Sequence, residues 1–511
     1  MERMLIMAKR REAKMNNIPA VRVGLVATSR DCFPLELARR RRSDLIKECQ
    51  KKKLPVYEIA TIVENENHIP RALEELHKVK ANALVIFLGN FGPEGPESLL
   101  AQNFNGPVMV AAAAEESGGD LINGRGDAYC GLLSACYNLG LRRVKVYLPE
   151  YPVGDAKEVA GMIQEFIPVA RIVSGVRNLK ILSFGPRPQD FLTCHAPLQP
   201  LFDLGIEMVE NSELDLYDLF LKAKDDPAIK AVVEAMREEL KGTRPEPRLL
   251  KKLAQYEVGL RNFIKQAGGA SNYVVLANKC WPAFEHYFGF VPCYVNSRLA
   301  SQGIPVACEA DIYGALSEYM AACASELPVT LLDINNTVPK DMVEAAGEKI
   351  GAYKNTDLFM GFHCGNTPAG CLVGGELRYQ LIMNRLLEGG QKPDITRGTL
   401  EGRIRPGAIT LFRLQATPET WLQAYVAEGE VLDIDPKTFG GVGVFAVKEM
   451  GRFYRYVLLG KQFPHHTAVA FKHAGKPLFA SLKLLGIDDI SFNQPAGMLY
   501  PGENPFAGFL S

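Results

Sequence analysis

Three carboxylates and a pair of imidazoles stand out in this chain for what their types and positions could do. Glu309 and Asp311 close the apolar run Ile304-Pro305-Val306-Ala307-Cys308, which reads as a buried strand breaking directly into a helical pattern through Met320. Asp333 ends a second apolar run, Val329-Thr330-Leu331-Leu332. The interval from Glu309 to Asp333 accommodates one crossover helix between parallel neighbours, so the spacing predicts two acids meeting at one sheet edge. His465 and His466 sit at the mouth of a later apolar run, Thr467 to Phe471, in a chain with only eight histidines. Two carboxylates and one imidazole make an oxygen-rich donor set. Such a set suits a hard or borderline divalent ion with open positions, Mn²⁺ or Mg²⁺, rather than a thiolate zinc site. Open positions on that ion accept neighbouring hydroxyl and carbonyl oxygens of a sugar, which polarises the carbonyl and acidifies the adjacent C–H.

Each residue also has a plainer reading. An acid in a first helical turn favours the helix dipole, which covers Glu309. Asp311 occupies the N-cap position more naturally than Glu309 does. Asp333 can shape the turn Asp333-Ile334-Asn335-Asn336 through side-chain to backbone bonds. The histidine pair can be structural.

The elements that must position these residues follow an alternating pattern. At 511 residues the chain exceeds one core and predicts two to four domains. After a basic N-terminal extension, residues 1–20, strands are expected at 21–26, 83–88, 108–111 and 144–148, with helices at 34–52 and 128–139. That is an open α/β domain over 21–170. A second α/β domain, 171–325, has strands at 179–184 and 273–278, charged helices within 226–267, and ends in the stretch that carries Glu309. From 326 to 511 the texture changes to closely spaced strands at 356–363, 408–414, 421–432, 441–447 and 454–459, a β-rich C-terminal domain of barrel or sandwich type. The fold class is therefore α/β: two open Rossmann-like α/β domains followed by a β-rich domain.

Composition narrows the partners. Lys plus Arg and Asp plus Glu are 58 each, so no field of one sign steers nucleic acid or an anionic membrane surface, and a small neutral or weakly charged ligand is expected. The 11 cysteines are scattered without a C-x-x-C pair and read as reduced thiols, which favours a cytoplasmic protein. No apolar run reaches the roughly 20 residues of a membrane span.

Taken together, Ala307-Cys308-Glu309-Ala310-Asp311-Ile312-Tyr313-Gly314, the Leu332-Asp333 strand end, and His465-His466 followed by His473-Ala474-Gly475 resemble the L-fucose isomerase and L-arabinose isomerase family. The resemblance implies metal-dependent aldose–ketose isomerisation through a cis-enediol. Carried over by motif, the ligands of a catalytic Mn²⁺, with Mg²⁺ or Co²⁺ as substitutes, fall on Glu309, Asp333 and His466, with Glu309 as base and Asp333 as acid. His465 is the alternative to His466. His363, in Gly361-Phe362-His363-Cys364, is a substrate or outer contact, and Trp281 and Asn335 are candidate sugar contacts. The resemblance also implies a homo-oligomer, trimer or hexamer. The competing readings are a non-catalytic sugar-binding or regulatory protein and a metal-dependent sugar aldolase or epimerase.

Overall fold

The computed structural model describes residues 15–506 except 123, 242, 244, 282, 283, 380 and 382–396. The chain divides into two compact units, one of Pro19–Gly175 with Lys476–Gly486 and the other centred on Val176–Gly475.

The smaller unit is built on a five-stranded parallel sheet of order β2-β1-β3-β4-β5, with β1 Val23–Thr28, β2 Val56–Glu58, β3 Ala83–Leu88, β4 Val108–Ala113 and β5 Val153–Gly154. Every residue of β1, β3 and β4 is buried. Their unbroken apolar runs have that cause, because helices cover both faces of a parallel sheet. Leu45 and Phe166 belong to the core on one face, Leu76, Leu100 and Leu132 to the core on the other. The strand expected at 144–148 is reduced to one bridge, Tyr147 to Met109. Pro149 and Pro152 lack the N–H groups a continued ladder needs, and the edge strand forms beyond them. The helix Gly475–Leu485 returns late in the chain to add Leu484 to this unit's core.

The larger unit holds two sheets. A parallel sheet of order β7-β6-β8-β9 comprises β6 Leu179–Phe184, β7 Glu207–Asn211, β8 Tyr273–Ala277 and β9 Val306–Ala307. A mixed sheet of nine strands follows, beginning with β10 Val329–Asn336, β11 Leu358–His363, β12 Leu372–Tyr379 and β13 Arg397–Ile404. It continues with β14 Gly407–Ala416, β15 Leu422–Leu432, β16 Gly441–Ala446, β17 His466–Ala470 and β18 Asp489–Phe492. Because β16 pairs with β15 as well as β11, the strands β16-β11-β10-β17-β14-β15 close into a ring. Two parallel α/β sheets followed by a β-rich region is the architecture expected from the sequence. Of the expected N-terminal extension, residues 1–14 lie outside the described residues. Asn17 is tied down, its amide donating to Val274 O at 2.7 Å and Gly303 O at 2.8 Å.

Two expectations are corrected. Residues Tyr454–Leu459 form a π-helix continuing the helix Met450–Phe453. Phe453, Val457 and Leu458 are buried while Tyr454 and Leu459 are exposed, a helical spacing instead of alternation. The strands carrying Glu309 and Asp333 are also not parallel neighbours, since β9 closes one sheet and β10 runs antiparallel within the other. The helix between them, Ile312–Ser325, is buried along its whole length and touches β8 as well as β10, β14 and β17. It is a spacer between two sheets, and its N-terminus brings the end of β9 to the ring.

Candidate active site

Glu309 lies in the single 3₁₀ turn Cys308–Ala310 that follows β9. Glu309 (φ 61°) and Ala310 (φ 55°) both take the left-handed conformation, which costs a non-glycine residue roughly 1–2 kcal/mol. The turn is held by Ala310 N donating to Asn278 O at 2.8 Å and Asp311 N donating to Cys308 O at 3.2 Å. Asp311 then caps the next helix, accepting from Gly314 N at 2.8 Å. From the ring, Asp333 on β10 pairs with His466 on β17 and with Phe362 on β11, the residue before His363. Adjacent strands therefore place Asp333 directly beside the His466 imidazole.

His466 is the centre of the cluster. Its Nε2 faces Glu309 Oε2 at 3.1 Å and Asp333 Oδ1 at 3.4 Å, while its Nδ1 lies 2.8 Å from Asp311 Oδ2. Two sets of potential ligand atoms, Glu309 with His363 and His466, and Asp333 with His465 and His466, each lie within 4.8 Å of one another. His465 Nε2 is 3.7 Å from Asp333 Oδ1. His363 Nδ1 accepts from Cys364 N at 3.0 Å.

The electrostatics differ sharply from residue to residue. Burial opposes charge on His466, but Asp311, Cys194 and Glu309 hold its pKa well above the ordinary histidine value. Burial pushes His363 down to about 4, and burial with the neighbouring His466 pushes His465 down to about 4. Burial also drives Asp333 up to about 7 against the pull of His466, with Glu309 adding to the rise. For Glu309 burial is outweighed by His466, then by His363 and His465, and the carboxyl is lowered.

Of the residues singled out in the sequence, Glu309, Asp333, His363, His465 and His466 come together. Trp281 stands at the edge of the group, its ring 6.2 Å from Phe191, which is in turn 5.9 Å from His465. Asn335 does not join them; it is exposed and accepts from Asn336. Three neighbours have no counterpart in the sequence reading. Cys194 Sγ is 4.0 Å from His466 Nδ1, Phe191 forms the aromatic edge, and Arg413 binds Asp311 through both guanidinium nitrogens. Arg413 had a signal in the sequence, a charge inside the apolar strand Leu411-Phe412-Arg413-Leu414, where a buried guanidinium requires an anion.

The donor set suits a divalent cation. Glu309 Oε2 and His466 Nε2 are buried, lack hydrogen-bond partners among the described residues, and face each other without hydrogen-bond alignment. A buried polar atom left unsatisfied costs about 1–3 kcal/mol, a cost that a shared cation removes for both atoms at once. Their separation is also close to the roughly 3 Å between neighbouring ligands of an octahedral ion with bonds of about 2.1 Å.

Residues 24–177 match the family model for the N-terminal domain of fucose/sulfoquinovose isomerase, and residues 361–492 match that for the C-terminal domain of L-fucose isomerase. A sulfoquinovose isomerase from Alkalicoccus urumqiensis is 26% identical over 329 residues, covering 63% of this chain and 67% of the relative. Those from Priestia aryabhattai and Clostridium sp. (strain MSTE9) are 25% and 26% identical, covering 62% and 57% of this chain. The chain spans 65% and 59% of the length of these two relatives.

Proposed function

The chain belongs to the L-fucose isomerase family of aldose–ketose isomerases, and from that premise we propose that it interconverts an aldose and its ketose with a divalent metal held by Glu309, Asp333 and His466. The supporting observation is the convergence of both acids on one imidazole nitrogen, Nε2 of His466. Mn²⁺ is the proposed ion, with Mg²⁺ and Co²⁺ as substitutes, because the donors are mostly oxygen. When bound, such an ion polarises the sugar carbonyl and acidifies the C–H beside it.

The protein's own groups do the rest. Glu309 accepts the C2 proton of the aldose, giving a cis-enediol, and Asp333 serves the return of a proton at C1 while one proton passes between the two oxygens. His465 and His363 flank the reacting carbons. The aromatic edge of Trp281 and Phe191 covers an apolar face of the sugar.

Sulfoquinovose is the proposed substrate, since the relatives quoted above are named for it. A homo-oligomer and a cytoplasmic location belong to the same reading. The latter is supported by 11 scattered cysteines without a C-x-x-C pair, which read as reduced thiols. The deciding experiment strips metal with EDTA, restores Mn²⁺, Mg²⁺ or Co²⁺, and assays ketose formation from sulfoquinovose, L-fucose, D-arabinose and L-arabinose. Ketose formation that stops with EDTA and returns with metal is expected. Undiminished turnover in EDTA, or metal-independent sugar binding without turnover, would defeat the proposal.

A further inference from the structure

We propose that Asp311 is a positioning residue that holds His466 in the tautomer presenting a bare Nε2 toward Glu309 and Asp333; this rests on the metal reading above. A helix cap alone needs one oxygen accepting from the first turn, and Asp311 Oδ1 does that at Gly314 N. The rest of the carboxylate is committed elsewhere. Arg413 donates through Nη2 to Oδ1 at 3.0 Å and through Nη1 to Oδ2 at 2.5 Å, and His466 Nδ1 meets Oδ2 at 2.8 Å.

Arg413 is itself immobilised. It is fully buried, and Gln415 Oε1 accepts from its Nε at 3.1 Å and from its Nη2 at 2.6 Å. An anion clamped by a bidentate guanidinium and a helix N-terminus cannot turn away, so the imidazole must turn to it. Asp311 Oδ2 is an acceptor, and Nδ1 therefore carries the hydrogen. In the neutral ring that a bound cation requires, this leaves the lone pair on Nε2, the atom at 3.1 and 3.4 Å from the two acids. Cys194, at 4.0 Å from Nδ1, is too distant and too weak a partner to reverse the choice. A carboxylate behind a ligating imidazole fixes its ring orientation and raises its basicity, and losing such a partner typically weakens metal binding about 10–100-fold.

The test uses the full-length protein with Asp311→Asn and Arg413→Gln combined. This exchange removes both buried charges together and leaves an amide that still caps Gly314. Free Mn²⁺ is followed by electron paramagnetic resonance, apo-protein melting by circular dichroism, and the tautomer by ¹⁵N shifts of labelled histidine in the protein saturated with diamagnetic Mg²⁺, with the His466 signals identified by their loss in His466→Gln. Expected are a cooperative melt, Mn²⁺ affinity lowered by about 10–100-fold, and His466 signals moved toward mixed tautomers. A folded double variant with parental Mn²⁺ affinity and parental His466 shifts overturns the proposal. If the variant does not fold, the parent decides: loaded with diamagnetic Mg²⁺, its His466 must carry hydrogen on Nδ1, and hydrogen on Nε2 overturns the assignment. A parent that binds no divalent metal overturns the metal reading itself, whereas a binding parent with an unchanged variant overturns only the role of Asp311.

Discussion

At the residue scale, Glu309 and His363 are both within reach of His466, yet their donor atoms are not equivalent. Glu309 Oε2 has no hydrogen-bond partner among the described residues, whereas His363 Nδ1 is occupied by Cys364 N–H at 3.0 Å, which leaves the hydrogen of a neutral ring on Nε2. Under the proposed function His363 then serves as a donor toward substrate or Glu309 and not as a metal ligand. Glu309→Gln is expected to lower both Mn²⁺ affinity and turnover by more than about 100-fold, read by metal titration and ketose formation. His363→Gln is expected to keep Mn²⁺ affinity within about threefold while turnover falls about 10–100-fold. Equal loss of metal from both variants would make His363 a ligand. The acids and imidazoles were legible in the sequence because rare polar residues at the ends of apolar runs attract notice. The second contact of Asp311 was not, because its cap position already accounts for it and its other partners, Arg413 and His466, come from remote strands.

At the element scale, the helix Ile312–Ser325 is the piece that sets the site, and its first turn is tighter than helix propensity alone allows. Alanine is favoured over glycine in a helix by about 1 kcal/mol, so Gly314→Ala looks stabilising on that ground. A Cβ there would lie 2.5 Å from Asp311 Oδ2 and 3.2 Å from Arg413 Nη1, among groups with no free direction to move. Overpacking of about 1–3 kcal/mol outweighs the gain, and a net loss of stability on the order of 1 kcal/mol with weakened Mn²⁺ binding is expected from denaturant melts and metal titration. A more stable Gly314→Ala protein would show that the turn has slack. Elements of this kind were readable where periodicity is local, as in β3 or the helix Pro247–Ala267. The placement of β9 and β10 in different sheets was not, because pairing partners are chosen across the fold and β9 is only two residues long.

The smaller unit carries its own pH signature. Glu97 is buried; among the described residues its Oε1 has no hydrogen-bond partner, and Thr28 Oγ1 donates to its other oxygen at 3.2 Å. Burial, only partly offset by Thr28, pushes its carboxyl up to about 8. Between the unfolded value near about 4.3 and that folded value the native state binds the extra proton, so stability falls as pH rises through the window. Glu97→Gln removes this contribution. Denaturant melts at pH 5.5 and 8 are expected to show a flatter pH dependence in the variant and a gain at pH 8 on the order of 2 kcal/mol. Parallel slopes in the two proteins would exonerate Glu97.

At the scale of the whole molecule, the proposed homo-oligomer needs a face, and the helix Ala128–Leu141 offers one. Tyr129, Leu133, Tyr137 and Leu141 are spaced four residues apart and are all more than 60% exposed, so they form one apolar stripe along the helix. Isolated exposed apolar residues are ordinary, but a continuous stripe of four large side chains is the kind of patch that protein contacts cover. The sequence alone could mark this helix as apolar on every side without telling which side faces the core; the burial of Leu132, Ala135 and Leu139 makes that distinction. Leu133→Asp with Tyr137→Asp places two charges in the stripe while leaving the core-facing residues untouched. If a second copy of the chain covers this face, light scattering will report a smaller particle with unchanged circular dichroism, since a desolvated unpaired charge costs an interface several kcal/mol. An unchanged mass would exclude the stripe as the assembly contact, and a parent that is itself monomeric would remove the oligomer from the proposed function while leaving the cluster around His466 intact.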